Sequence, residues 1–202
     1  MKFRFEDKIK LDKEKIFDFK SWLLNNNFKS LYTQREIYSI YFDNSKFQTF
    51  KESEEGVTPR KKFRVRTYNF ESFKKNKFNL EIKKTLNFGR SKSSEKIDNV
   101  NHLLKVGLIF KNYGICYPKI IVKYFRNYYR NNLVRVTLDT KIKFKKFNNS
   151  KLNNVFFKEI DFVVAEIKYK NENDILELKD NFNFDKTRFS KYCFGVERLK
   201  SA

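Results

Sequence analysis

Residues 60–68 read Arg60-Lys61-Lys62-Phe63-Arg64-Val65-Arg66-Thr67-Tyr68, and the spacing of their charges decides the fold. Arg60, Lys62, Arg64 and Arg66 stand on alternate positions. Helical periodicity would scatter them around an axis, whereas a strand points successive side chains to opposite faces and lines them up in one row, with Tyr68 at its end. Lys61, Phe63, Val65 and Thr67 then share the other face. The segment is expected to be a strand with one strongly cationic face. A solvated outer face would give the same pattern, so the other strands have to distinguish the two readings.

They repeat it. Arg4, Glu6 and Lys8 alternate with Phe3, Phe5, Ile9 and Leu11; Glu81 and Lys83 alternate with Leu80 and Ile82; Glu166 and Lys168 lie in a strand over 162–170. Arg135, Thr137 and Asp139 stand opposite Val134, Val136 and Leu138. Three of these strands carry the same tripeptide form, Glu6-x-Lys8, Glu81-x-Lys83 and Glu166-x-Lys168. An open antiparallel sheet with one wet face accounts for alternation alone. The number of strands, the mixed signs on the charged faces and the bulk of the apolar faces favour a closed barrel instead. Its charges would line a wet interior and its apolar faces would lie outside, under helices. Carboxylates offset part of the repulsion among the cations, and the surplus calls for a ligand with many negative charges.

Expected helices cover 12–26, with Asp12 as N-cap and Ile16, Phe19, Trp22 and Leu23 buried, then 44–52, 94–106, 173–181 and 189–199. Further strands are expected over 37–43, 77–84, 119–129 and 132–143. The architecture is therefore α+β and β-rich. With five Gly, two Pro and no flexible linker, residues 1–202 read as a single domain.

Composition excludes several chemistries. Lys and Arg outnumber Asp and Glu by 45 to 24, a net charge of +21, which attracts polyanions. The chain is also rich in Asn, Phe and Ile, as an AT-rich genome would encode, so the placement of charge carries more than its total. Cys116 and Cys193 form no CxxC pair, which argues against structural zinc and a disulfide framework. The lone His102 leaves little room for histidine catalysis. No run approaches the ~18 apolar residues of a membrane helix, and the opening MKFRFEDKIK lacks an apolar signal core, so a cytoplasmic protein is expected. Triphosphate or polyphosphate suits the cationic faces: Arg forks grip phosphate oxygens in pairs and Lys acts as a point charge. Mg²⁺ or Mn²⁺ would sit between carboxylate and phosphate oxygens. No Walker A loop is present.

The segments FRFEDK (3–8), YFD (41–43), RKKFRVRTY (60–68), LEIK (80–83), YFR (124–126), RVTLD (135–139), AEIK (165–168) and RFSKY (188–192) occur in this order over nearly the whole chain. The sequence thereby resembles the catalytic domain of the vacuolar transporter chaperone (VTC) polyphosphate polymerases, members of the triphosphate tunnel metalloenzymes together with CYTH proteins. The resemblance implies an eight-stranded antiparallel tunnel, helix-flanked with its C-terminal helix at one end, that passes the γ-phosphate of ATP to a growing polyphosphate chain. It implies phosphate-holding roles for Lys8, Arg64, Arg66, Lys83, Tyr124 and Arg126, and a metal-ligand role for Glu166. Ser190 and Lys191 match the terminal helix, and Arg188 stands where the family more often has Lys. A further tunnel lysine is expected after LEIK, with Lys92 and Lys96 both candidates. A stand-alone domain of the bacterial branch is expected, without a sensor domain for inositol pyrophosphates or a membrane segment, so that any coupling to translocation would need a separate membrane protein.

The expected mechanism is positioning plus charge neutralisation. Arg64, Arg66, Lys83, Arg126 and Glu166 are the expected catalytic groups; Arg60, Lys62, Arg135 and Lys168 join the phosphate-binding set, and Glu6 and Glu81 join Glu166 as candidate metal ligands. Ion pairing alone would also explain Glu6 and Glu81, packing would explain Tyr41, Tyr68 and Tyr124, and an N-cap would explain Ser190. Asp43 and Asp139 read as turn-fixing or arginine-pairing residues. Pyrophosphate or polyphosphate is the expected acceptor; with water in its place the site is a triphosphatase, and without turnover it is a polyphosphate-binding subunit. A nucleic-acid module is disfavoured because Phe63 and Phe125 lie opposite the parity of Arg64 and Arg126.

Overall fold

The computed structural model describes residues 5–75, 77–148, 158–171, 173–176, 178 and 182–200. Phe3, Arg4 and most of the 177–181 stretch, which bore on the readings above, lie outside them. The strands are β1 (Phe5–Leu11), β2 (Lys29–Asp43), β3 (Arg60–Thr67), β4 (Phe78–Leu86), β5 (Gly89–Ile97), β6 (Leu108–Phe110), β7 (Gly114–Arg130), β8 (Arg135–Lys146), β9 (Lys158–Glu159) and β10 (Val163–Tyr169). The helices are α1 (Lys15–Asn25), α2 (Gln48–Glu55), α3 (Phe70–Lys74), α4 (Val100–Val106), α5 (Asn173–Leu176) and α6 (Lys191–Lys200). The hydrogen-bonded order is β1-β10-β8-β7-β2-β3-β4-β5, with β6 on β7 and β9 on β8. The registers of β1–β10, β10–β8, β2–β3, β3–β4, β4–β5 and β6–β7 are antiparallel. The fold is thus α+β and β-rich. The main path contains eight strands, and no pairing among the described residues joins β1 to β5.

Three expectations are corrected. Residues 94–97 belong to strand β5 and not to a helix, which starts only at Val100. Strand β2 begins eight residues before the expected strand at 37, through the polar stretch Lys29–Glu36. Asp12 gives α1 its carbonyl, bonded by Lys15 N at 3.0 Å, while the N-cap itself is Glu14, whose side chain makes no capping bond.

The chain divides into two compact units. The first is Met1–Arg35, Tyr124–Ile142 and Glu159–Phe189; the second is Glu36–Lys123, Lys143–Lys158 and Ser190–Ala202. In each, the apolar parity of the strands builds the core. The first unit buries Ile9 and Leu11, Val134, Val136 and Leu138, and Ala165 and Ile167 against Phe19, Trp22 and Leu23 of α1. The second buries Ile40 and Phe42, Phe63 and Val65 with Val100 and Leu104 of α4. Alternation leaves the opposite faces of the same strands to the charged side chains.

Helix α2 takes its cap from outside itself. The Asp43 carboxylate, fully buried, accepts from Thr49 N at 3.0 Å, Phe50 N at 3.0 Å and Thr49 Oγ1 at 2.8 Å. It also accepts from the Tyr192 hydroxyl of α6 at 2.6 Å, which fastens that helix to the second unit. Burial and the Asp43 charge push the Tyr192 hydroxyl far above the ordinary phenol range, so it stays protonated and donates. Asp43 is therefore the turn-fixing residue that its position suggested. Farther along α6, a Cβ at Gly195 would meet Phe144 Cδ1 at 2.5 Å and Ile120 Cδ1 at 2.8 Å, so only glycine allows this approach.

Candidate active site

In the second unit the row opened by residues 60–68 faces β4. Arg64 pairs with Glu81 in register, and Tyr41 of β2 pairs with Arg64 on its other side. Arg64 donates to Glu81 Oε2 through Nε at 2.8 Å and lies 2.6 Å from it through Nη2; its Nη1 donates to the Tyr41 hydroxyl at 3.0 Å. Arg66, 5% exposed, donates from Nε to Ser39 Oγ at 2.9 Å and places Nη1 3.8 Å from the same carboxylate. Lys92 Nζ reaches Glu81 Oε1 at 2.8 Å. Burial would raise the pKa of Glu81, but Arg64, Arg66 and Lys92 outweigh it and hold this carboxyl far below the usual carboxylate range. The same arginines, with Lys191, outweigh burial at Tyr41 and lower its hydroxyl from 10.0.

The next row toward the start of β3 carries only cations. Lys62, Lys83 and Lys92 stand in register across β3, β4 and β5. Like charges directly opposite one another on a sheet repel, and in this row Glu81 offsets the charge of Lys92. Lys62 Nζ donates to Ser190 Oγ at 2.8 Å, and Ser190 accepts from Cys193 N at 3.4 Å as the start of α6. Arg60 turns its Nη1 to the carbonyls of Val57 at 2.7 Å and Gly56 at 3.2 Å. Lys96 is exposed, opposite Asn79.

The first unit presents its own charged face. Lys8, Glu166 and Thr137 form one register row across β1, β10 and β8; Glu6, Lys168 and Arg135 form the next. Glu6 lies 3.5 Å from Lys8, and Glu166 pairs with Lys168. Lys8 Nζ donates to the Phe189 carbonyl at 2.7 Å. On β7, Arg126 grips Asp139 in a fork, Nε to Oδ1 at 2.5 Å and Nη2 to Oδ2 at 2.7 Å, with its Cζ 5.3 Å from the Tyr124 ring centre. Burial would weaken the charge of Arg126, but Asp139 outweighs it and fixes the guanidinium as a cation. Asp139 thus pairs with an arginine, and Tyr124 is 1% exposed. Arg135 and Arg188 are exposed.

Sequence reasoning missed Ser39 as the anchor of Arg66. Its signal was available: Ser39 and Tyr41 share the parity of β2 that faces the arginine row. Phe63 is core, whereas Phe125 is only partly buried and has Lys141 Nζ 5.9 Å from its ring centre. Tyr124 and Tyr128 share the parity of Arg126.

Among the described residues no three His, Cys, Asp or Glu side chains converge on one point. A hard divalent cation that takes its other ligands from phosphate and water needs only one or two carboxylates. Glu166 and Glu6 fit that demand. So does their neighbour Thr137, whose buried Oγ1 has no hydrogen-bond partner and stands in register with Glu166. Glu81 does not fit: three protein cations already neutralise it. Burial raises the Cys116 thiol to about 11 and raises Cys193 as well, so neither supplies a thiolate. His102 is exposed.

The VTC domain family model matches residues 3–109 and 92–200. No curated protein matches the sequence significantly. Among solved structures, a proposed adenylate cyclase from Vibrio parahaemolyticus aligns over 100% of this chain and 99% of its own at 12% identity, TM-score 0.57. A conserved hypothetical protein from Pyrococcus furiosus aligns over 94% of this chain and 99% of its own at 15% identity, TM-score 0.56. At these identities the likeness is one of fold. Among the described residues, no helix is long and apolar enough to cross a membrane.

Proposed function

The chain belongs to the VTC domain family, and from that premise we propose that it is a divalent-metal-dependent phosphotransferase that moves the γ-phosphate of ATP onto polyphosphate or pyrophosphate. The observation that carries this reading is the in-register row Lys62–Lys83–Lys92 beside Arg64 and Arg66. Three lysines in register across adjacent strands supply the cations that a linear chain of phosphates requires.

In this reading Arg64, Arg66, Lys62, Lys83 and Lys92 hold phosphate oxygens on the second unit, with Arg60 at the end of their row. Glu81 and Ser39 aim the two guanidinium groups before substrate arrives, so little reorganisation remains for the reaction. On the first unit Lys8, Arg126 and Lys168 do the same, and Asp139 orients Arg126. Glu166 and Glu6 would hold Mg²⁺ or Mn²⁺, which supplies charge neutralisation to the phosphates. The bond from the γ-phosphorus to its bridging oxygen breaks, an acceptor phosphate oxygen forms the new bond, and ADP leaves. Closure of the eight-strand path into a tunnel belongs to this proposal, as does a separate membrane protein if the product crosses a bilayer.

The test is incubation with ATP and Mn²⁺, with and without pyrophosphate, resolving polyphosphate on gels. A ladder of chains formed together with ADP, and lost in Glu166→Gln, supports the proposal. ADP with free phosphate and no ladder makes the protein a triphosphatase. Binding of polyphosphate without turnover makes it a binding subunit.

A further inference from the structure

Phosphate recognition leaves the rest of a nucleotide unassigned. On the first unit, Tyr32 of β2 is 50% exposed. Tyr128 of β7 meets it edge to face, with centroids 5.5 Å apart at 86°. The Arg35 guanidinium lies over both rings, 4.4 Å from the centre of Tyr32 and 5.5 Å from that of Tyr128. Tyr128 is one same-face step from Arg126, roughly 7 Å along the strand, and the Arg126 Cζ lies 6.0 Å from its ring centre.

This is a half-open surface of two rings set at right angles and one planar cation, continuous with a phosphate-binding candidate. Such surfaces stack aromatic heterocycles, because every base has a π-face and a guanidinium is planar and weakly hydrated. Asp139 occupies two of the five donors of Arg126, so the same guanidinium can still meet an anion. We propose that Tyr32, Arg35 and Tyr128 form a stacking subsite for the base of a nucleoside triphosphate. The inference rests on the phosphotransferase reading and extends it to the nucleoside. Stacking reads no base edge, so adenine and guanine nucleotides are accepted alike.

The test compares ATP with inorganic tripolyphosphate, each titrated calorimetrically into the full chain and into Tyr32→Ala, Tyr128→Ala and Tyr32→Trp. Both alanine variants are expected to weaken ATP binding about tenfold and to leave tripolyphosphate within about twofold. Tyr32→Trp keeps the π-face and should retain ATP affinity; thermal melts check that each variant is folded. Equal weakening of both ligands would reduce the cluster to a support for Arg126 and overturn the subsite, as would unchanged ATP binding. If the unmodified chain binds neither ligand, the phosphotransferase reading falls and the subsite falls with it. Tripolyphosphate binding with indifferent variants overturns the subsite alone.

Discussion

Glu81 and Glu166 occupy the same tripeptide form, Glu-x-Lys, on strands of the same alternation, yet their surroundings differ. Glu81 is 2% exposed, and Arg64, Arg66 and Lys92 surround it. Glu166 pairs with Lys168 of its own strand and stands beside Lys8 and an unpartnered threonine hydroxyl. The difference lies in the neighbouring strands: β3 brings arginines to β4, whereas β1 and β8 bring one lysine and one threonine to Glu166 in register. The same motif therefore yields a carboxylate that organises cations in one unit and one suited to ligand in the other.

The largest expected effect breaks the first of these. Removing one partner of a buried ion pair leaves the others uncompensated, so Glu81→Gln should cost about 3–5 kcal/mol in urea denaturation. The first unit has its own organiser in Asp139, fully buried under Arg126, and Asp139→Asn should fall in the same range. Glu166→Gln is expected to behave oppositely. Its turnover of ATP should drop about a hundredfold, near 3 kcal/mol, while its urea midpoint falls by less than that of Glu81→Gln, because one lysine pairs directly with Glu166 and three cations gather on Glu81. A Glu166 variant as unstable as the Glu81 variant would erase the contrast.

Acid sharpens it. The folded-state pKa of Glu81 is depressed below its ordinary 4.5, so the stability it contributes is complete above that pH and is lost as pH falls toward the folded value. Stability measured downward from pH 5 should therefore decline more steeply in the parent chain than in Glu81→Gln, which has already lost that contribution. The smallest effect is expected at Lys92, whose side chain is 46% exposed. Solvent screens such a pair, and Lys92→Met should shift stability by less than about 1 kcal/mol while weakening tripolyphosphate binding in calorimetry.

The period-two rows were legible because charged or polar and apolar side chains alternate over 63–66, 80–83, 134–139 and 165–168; burial does not follow that parity, since Arg66, Glu81, Asp139 and Glu166 are buried as well. The helix expected over 94–106 failed where the alternation gives out. Strand β5 runs through Arg90-Ser91-Lys92-Ser93-Ser94-Glu95-Lys96, with no apolar side chain to mark a face, and sits at the end of the strand order, where charged side chains are common. Residues 29–36 hid the first half of β2, and with it Tyr32 and Arg35, because their apolar side chains Leu31 and Tyr32 are adjacent and mark no single face. Residue types could nominate Glu6, Glu81 and Glu166 together. Separating them required the register, because what each carboxylate meets is decided by residues far away in sequence.

The bond from Tyr192 to Asp43 joins residues 149 positions apart. In kinetic terms this is a contact of very high order, formed only after a long loop has closed. The cap of α2 requires only residues 43–50 and can assemble locally and early. Docking of α6 is then a late event that contributes little to the folding transition state. Tyr192→Phe should accordingly speed unfolding in stopped-flow experiments while leaving the refolding rate nearly unchanged, so the C-terminal helix sets how long the second unit stays folded rather than how fast it folds.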